Sequence, residues 1–114
     1  MIVGDIHWVD LPDNEAREQR GRRPAVIFQE DLYGASLPTV LVVPLSSTRA
    51  ALRFPGTTLI RATEKSGLPN DSVALVFQLR AIDRNRIASY LGAISEEERI
   101  AIQDELQKLL GQNL

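Results

Sequence analysis

Arginine, hydroxyl and amide side chains gather at three places along this chain of 114 residues. A polar segment precedes the apolar run that opens at Pro24, and it contains Arg17, Glu18, Gln19, Arg20, Arg22 and Arg23. The hydroxyl cluster Ser46–Thr48 follows a second apolar run, and Gln78 and Arg80 lie within a third. A guanidinium binds phosphate through two parallel hydrogen bonds, and hydroxyls add further donors. Such groups could hold a phosphodiester and stabilise the extra negative charge of its transition state.

Other kinds of chemistry find little support. The chain has one histidine, His7, and no cysteine, so neither a histidine-dependent triad nor a two-histidine metal site can be built within it. No phosphate-binding glycine motif is present, and we expect neither a metal nor a cofactor. Without a metal, the nucleophile would come from the substrate, and RNA supplies one in its 2′-hydroxyl. The residues alone leave open a simpler interpretation, in which the arginine segment is a solvated linker and Ser46–Thr48 a turn.

Charge is distributed unevenly along the sequence. The net charge is −2, but residues 1–16 carry −4, residues 17–91 carry +5 and residues 92–114 carry −3. The apolar content of 44% and the length predict one globular domain over 1–114. The chain has no apolar run long enough for a membrane span, no signal-peptide pattern and no cysteine, so we expect a cytoplasmic protein that does not contact a membrane.

The pattern of apolar residues predicts five to seven short strands and a terminal helix. Alternation predicts a strand in "IVGDIHWVDL", and β-branched runs predict strands in "PAVIFQ", "TVLVVPL", "TTLIRA" and "VALVFQLRAI". "DRNR" is at most one helical turn, and Gly92 favours a short strand for "IASYLGAI". Ser95 and Glu98 form a capping box, and Gly111 is a suitable stop for the helix that follows. We therefore expect a small barrel-like antiparallel sheet with a packed C-terminal helix.

Four blocks of the sequence, in order, resemble the MazF/PemK family of toxin endoribonucleases: "GDIHWVDL", "EQRGRRPAVIF", "VLVVPLSS" and "GLPNDSVALVFQLRAID". The resemblance implies a mainly β (α+β) fold, a small SH3-like barrel of the CcdB/PemK type with a C-terminal helix. It also implies a homodimer and metal-independent cleavage of single-stranded RNA. Attack by the 2′-hydroxyl would leave a 2′,3′-cyclic phosphate and a 5′-hydroxyl. A cognate antitoxin would inhibit the enzyme by occupying its RNA-binding surface.

The resemblance also suggests roles for individual residues. The arginine of the family's Arg-Pro step falls on Arg23 and its strand-end hydroxyl on Ser46, which we take as the catalytic pair. The residues expected to bind the substrate are Glu18, Gln19, Arg20, Arg22, Ser47, Gln78 and Arg80. Gln78 and Arg80 would share one face of a strand. The position before Gln78 is commonly acidic in the family and is Phe77 here, so a general base at that position is absent and Glu18 is the nearest candidate.

Two other functions remain possible at this point. The gyrase-poisoning CcdB toxins are similar in fold, but their poisoning surface depends on a C-terminal tryptophan. The only tryptophan here is Trp8, and the chain ends in "LGQNL". The second alternative is a catalytically inactive barrel that binds RNA or a partner, which Phe77 and the serine at position 46 keep open.

Overall fold

The computed structural model describes residues 1–11, 21–34 and 36–112. These residues form seven strands, two α-helices and three short 3₁₀ helices. The strands are β1 (Asp5–Asp10), β2 (Arg22–Ile27), β3 (Thr39–Ser46), β4 (Thr57–Ile60), β5 (Ser72–Leu75), β6 (Arg80–Asp83) and β7 (Ile87–Ala93). The α-helices are α1 (Asp31–Gly34) and α2 (Glu96–Leu109), and the 3₁₀ helices are Arg49–Arg53, Val76–Gln78 and Arg84–Arg86. The predicted number of strands and the C-terminal helix are confirmed.

All seven strands belong to one antiparallel sheet with apolar side chains on both faces. The strand order is β4-β5-β3-β2-β1-β7, and β6 pairs with β3 beside that path. One core cluster contains residues of β1, β2, β3 and β6, together with Leu11, which follows β1, and Ile87 of β7 packs against it. Its buried members are Val9, Leu11, Ala25, Ile27, Val40, Val42 and Ile82. The second cluster lies on the other face, where Ile102 of α2 packs with residues such as Ile6, Val26 and Val43. The predicted antiparallel, barrel-like sheet is confirmed; no ladder joins β6 to β7 in the described part of the chain, so the sheet is open and does not close fully.

The long strand β3 organises this sheet. One of its edges pairs with β2, and its other edge pairs first with β6 and then with β5. Leu45 faces Ala74, whereas Leu41, four residues earlier, faces Ala81, seven residues later. Three residues are therefore looped out between β5 and β6, where the 3₁₀ helix Val76–Gln78 lies. The prediction of one continuous strand over "VALVFQLRAI" was wrong, because this turn interrupts it.

Helix α2 follows the local signals in its sequence. The Ser95 hydroxyl accepts a hydrogen bond from the Glu98 N–H at 3.1 Å, and the Glu98 carboxylate accepts one from the Ser95 N–H at 2.9 Å. This confirms the capping box. Arg99 hydrogen-bonds the carboxyl of Glu96 and lowers its pKa, chiefly through that bond and then through its charge. Gly111, with a φ of 77°, follows the end of the helix as predicted.

Other boundaries differ from those predicted. Strand β2 begins at Arg22, so Arg22 and Arg23 are strand residues instead of members of the preceding loop. The 3₁₀ helix Arg49–Arg53 and the short helix α1 lie in segments for which no helix was predicted. Within the described ranges, neither α-helix is long and apolar enough to cross a membrane.

Candidate active site

The antiparallel pairing of β2 with β3 determines where Arg23 and Ser46 lie. Ala25 faces Pro44, Val26 faces Val43 and Ile27 faces Val42. The same register, continued by two residues along both strands, places Arg23 opposite Ser46. Directly opposed residues project to the same face of a sheet, with their Cβ atoms about 4.5–5.5 Å apart. The paired residues end at Ala25 and Pro44, so the two residues expected to be catalytic, 23 positions apart in sequence, lie two residues beyond the last pair, at neighbouring ends of β2 and β3.

A cavity of about 300 Å³ opens beside these residues, where β2 begins and β3 ends. The turn that leads into β5 forms its opposite wall. The residues lining it are Trp8, Arg22, Arg23, Pro24, Leu45, Ser47, Leu68, Pro69, Asn70 and Ser72. The cavity therefore brings together three of the predicted site residues, Arg22, Arg23 and Ser47, and none of the described residues that line it is acidic.

The charged groups at this cavity are held by specific partners. Arg22 Nε donates to Asp10 Oδ1 at 3.1 Å, in line with the pairing of these two residues between β1 and β2. Next to the cavity, Arg49 Nη1 lies 3.5 Å from Asp71 Oδ2, while Asp71 Oδ1 accepts the N–H of Ala62 at 2.7 Å. Arg23 is half-buried and its backbone pairs with Val9. The site thus presents guanidinium groups that are anchored by the strands and turns around it.

Ser46 has a local hydrogen bond that orients its hydroxyl. Its Oγ accepts the N–H of Thr48 at 3.1 Å, a short-range contact that fixes the start of the turn after β3. A hydroxyl carries one donor as well as its acceptor sites. Its O–H therefore has the chemistry to donate to a phosphate oxygen held by Arg23.

Two other predicted substrate-binding residues lie outside this cavity. Gln78 ends the 3₁₀ helix Val76–Gln78, and with Phe54, Pro55, Phe77 and Leu109 it lines an apolar groove of about 490 Å³. Arg80 begins β6 and faces Val42 of β3. The expectation that Gln78 and Arg80 share one strand face was wrong, because only Arg80 is in a strand.

Phe77 occupies an apolar environment. Its ring makes an edge-to-face contact with Phe54, with the ring centroids 6.2 Å apart, and it is 44% exposed. It therefore belongs to the same apolar groove as Gln78, away from the residues that line the cavity at Arg23.

The remaining predicted site residues, Glu18, Gln19 and Arg20, lie outside the described residues. The single histidine, His7, has structural contacts: its Nδ1 lies 3.0 Å from the carbonyl oxygen of Ala88, and the ring of Tyr90 packs edge-on against it. Within residues 1–11, 21–34 and 36–112, no three His, Cys, Asp or Glu side chains cluster closely enough to hold a metal ion.

The sequence did not indicate that Trp8 and the turn residues Leu68, Pro69 and Asn70 would line this site. They come from β1 and from the segment before β5, about 60 positions apart. The "GLPNDS" turn was recognisable, and its role follows from the pairing of β5 with the end of β3. Knowledge that β2 and β5 pair with opposite edges of β3 would have placed this turn near Arg23.

Comparison with known proteins gives consistent results. The sequence model of the PemK-like, MazF-like toxins of type II toxin–antitoxin systems matches residues 2–110. A protein of Staphylococcus epidermidis named "Endoribonuclease MazF" is 34% identical over 110 residues, which cover 96% of this chain and 91% of that protein. The crystal structure of MazF from Deinococcus radiodurans is 25% identical, with a TM-score of 0.80 over 98% of this chain and 97% of that one. A mycobacterial endoribonuclease solved with its cognate antitoxin shares the fold, with a TM-score of 0.79 at 18% identity, over 100% of this chain and 98% of that one.

Proposed function

Because the chain belongs to the PemK-like, MazF-like family of type II toxins, we propose that it cleaves single-stranded mRNA at selected sequences without a metal ion. The predicted family and enzyme class, a toxin endoribonuclease, are confirmed by relatives of that name at 34% and 32% identity over nearly the whole chain. The substrate, the chemistry of the cut and the sequence selectivity are the proposal. It treats residues 1–114 as one toxin domain that acts in the cytoplasm, where mRNA is found.

In the proposed reaction, the 2′-hydroxyl of the RNA attacks the adjacent phosphorus. A new O–P bond forms, the bond to the 5′-oxygen of the next nucleotide breaks, and that oxygen takes up a proton. The products are a 2′,3′-cyclic phosphate and a 5′-hydroxyl. No metal is needed to generate the nucleophile, since the substrate carries it.

The observation that carries the proposal is that Arg23 and Ser46 lie at neighbouring ends of the paired strands β2 and β3, beside a cavity with guanidinium groups. We assign Arg23 to stabilise the negative charge that develops on the phosphate and the leaving oxygen. A guanidinium gives up a proton very reluctantly, so this role suits it better than that of a general base. Ser46 would donate to a nonbridging oxygen of the same phosphate.

The proton of the 2′-hydroxyl needs an acceptor, and the family's usual acid is Phe77 here. Phe77 faces Phe54 in an apolar groove, and no carboxylate among the described residues lines that groove. The two candidate acceptors of the 2′-hydroxyl proton are Glu18 and a water molecule. In either case Arg23 and Ser46 keep the roles assigned above.

The proposal includes two protein partners. The first is a cognate antitoxin, whose acidic segment would compete with RNA for the arginine-lined site, because such sites attract carboxylates as well as phosphates. The second is another copy of this chain. The exposed apolar groove of Phe54, Pro55, Phe77 and Leu109 supports a homodimer, since contiguous apolar patches of this kind mark interaction surfaces. Elution from gel filtration at the mass of one chain would remove the homodimer from the proposal.

The test is cleavage of a long single-stranded RNA in the presence of excess EDTA, followed by analysis of both ends of every fragment. We expect cleavage at recurrent sequences, with cyclic phosphate at one end and 5′-hydroxyl at the other. Fragments with 3′-hydroxyl and 5′-phosphate ends, or loss of cleavage on chelation, would refute the mechanism. Binding of RNA without any cleavage would favour the inactive barrel, and inhibition of purified gyrase without cleavage would favour a CcdB-like poison.

A further inference from the structure

The cavity beside Arg23 has one apolar side and one polar side. Trp8, Pro24, Leu68 and Pro69 supply flat or rigid apolar surface, while Ser47, Asn70 and Ser72 supply hydrogen-bonding groups. Its volume of about 300 Å³ is at the lower end of the range for ligand pockets, about 300–1,000 Å³. A cavity of this size suits a single nucleotide unit better than a longer stretch of RNA.

The polar groups of this cavity differ in whether they already have partners. Ser72 Oγ donates to the carbonyl oxygen of Asn70 at 3.1 Å, and Arg22 is paired with Asp10. In the described part of the chain, the side-chain amide of Asn70 makes no hydrogen bond. Pro69 has a fixed φ and the bond from Ser72 holds the Asn70 main chain, so the amide is displayed from an ordered turn. Its donor and acceptor are available to a ligand.

We propose that this cavity seats one nucleobase of the RNA next to the scissile phosphate, with the base against Trp8 and its edge hydrogen-bonded to the amide of Asn70. The inference rests on the proposed function, because the phosphate at Arg23 positions the base. Bases stack on aromatic side chains regardless of sequence, whereas an amide donor and acceptor pair with the base edge. Trp8 would thus give affinity and Asn70 selectivity.

If the Asn70 amide pairs with the base edge, Asn70→Asp should change the relative affinities for the four bases in a predictable direction. An ionised carboxylate has no donor, so a base that needs one donor and one acceptor loses a hydrogen bond. Guanine is the exception, since its N1–H and N2–H donors lie side by side and both can bond to a carboxylate. Loss of one net hydrogen bond corresponds to about fivefold in affinity. We therefore expect Asn70→Asp to weaken binding of adenine, cytosine and uracil nucleotides about fivefold relative to guanine nucleotides.

Trp8 provides the measurement, because it is the only tryptophan in the chain and it lines the cavity. The probes are the four nucleoside 3′-monophosphates, with inorganic phosphate and penta-glutamate at equal concentration for comparison. We expect the nucleotides to quench Trp8 fluorescence saturably and the two comparison anions not to do so. The matched control is Asn85→Asp, which makes the same change on an exposed residue of the 3₁₀ helix Arg84–Arg86, outside the cavity. It should leave all four affinities unchanged.

The results separate this inference from the proposed reaction. Equal quenching by inorganic phosphate, quenching by penta-glutamate alone, or an identical base ranking in Asn70→Asp and Asn85→Asp would overturn the base site. The titration needs no turnover. If the protein binds nucleotides in this way but never cuts RNA, the base site is supported and the proposed reaction is refuted. A protein that cuts RNA but shows no quenching would keep the reaction and lose the base site.

Discussion

At the residue scale, the proposed reaction depends on how Arg23 is held. It lies in β2 directly before Pro24, is half-buried, pairs with Val9 of β1 and is one of the residues that line the cavity. A guanidinium positioned by a strand loses little conformational freedom when phosphate binds, and a preorganised donor is worth far more than a mobile one. Its position at the start of β2 therefore suits Arg23 to the role that we propose for it.

The corresponding prediction is that Arg23→Ala loses cleavage by a factor of about 10²–10³ or more. The melting temperature should change little, because the side chain is only half-buried and lies outside both core clusters. Initial rates on RNA and a thermal melt measure the two effects. Arg61→Ala, which removes the same charge from an exposed residue that does not line the cavity, is the control. An Arg23→Ala enzyme with more than a tenth of the normal rate would contradict the assigned role.

Sequence reasoning succeeded for single residues where the signal was local. Ser95, Glu98 and Gly111 behave as their types and spacing predict, since capping depends only on neighbours within one turn. The contribution of Trp8 and Asn70 to the cavity could not be predicted in this way. That contribution depends on which strands pair in the sheet, and neither the sequence around Trp8 nor the sequence around Asn70 indicates that the two segments are neighbours.

At the element scale, the break between β5 and β6 shows the same limit. The run "VALVFQL" has no Gly, Pro or polar cluster to mark a turn. The interruption at Val76–Gln78 appears only when β5 and β6 both pair with one edge of β3 in different registers. Tertiary pairing outweighed the local strand pattern, and the consequence for function is that Gln78 faces the apolar groove.

Strand β7 contains a glycine whose role is steric. A Cβ on Gly92 would lie 2.3 Å from the carbonyl oxygen of Lys65 and 2.4 Å from that of Ser66. The backbone approaches this closely because the Ala93 N–H donates to the Lys65 carbonyl at 2.9 Å. Gly92 therefore allows the 63–67 turn to pack on β7.

Gly92→Ala is expected to lower the free energy of unfolding by about 3 kcal/mol, since the atoms it meets are backbone and cannot move aside cheaply. Chemical denaturation measures this loss. Ser89→Ala, at an exposed position of the same strand, should change stability by no more than about 0.5 kcal/mol. A Gly92→Ala variant as stable as Ser89→Ala would show that the turn can move away from β7.

At the scale of the whole molecule, the fold brings the acidic N-terminal part of the sequence against the basic central part. The acidic N-terminal residues and the basic central segment meet where β1 pairs with β2, and there Asp10 binds Arg22. The open end of this strand pair faces the turn that carries Asn70, and the cavity between them has arginine on one wall. A protein with a net charge of −2 can thus offer a locally basic site to RNA.

The two apolar faces of the sheet place this site on a rigid support. One cluster fills the curl of five strands and the other lies under α2, so the strands that carry Arg23 and Ser46 are packed from both sides. Binding constellations are most accurate on such elements. In the proposed reaction the substrate, rather than the protein, supplies the nucleophile.

The most direct test compares two RNA oligonucleotides that contain one cleaved sequence and differ only at the nucleotide 5′ to the cut. One carries the natural 2′-hydroxyl there and the other a 2′-deoxy group. If the 2′-hydroxyl is the nucleophile, as we propose, the first is cut to a cyclic phosphate and the second binds but stays intact. Cleavage of the 2′-deoxy oligonucleotide at the same position would contradict this proposal.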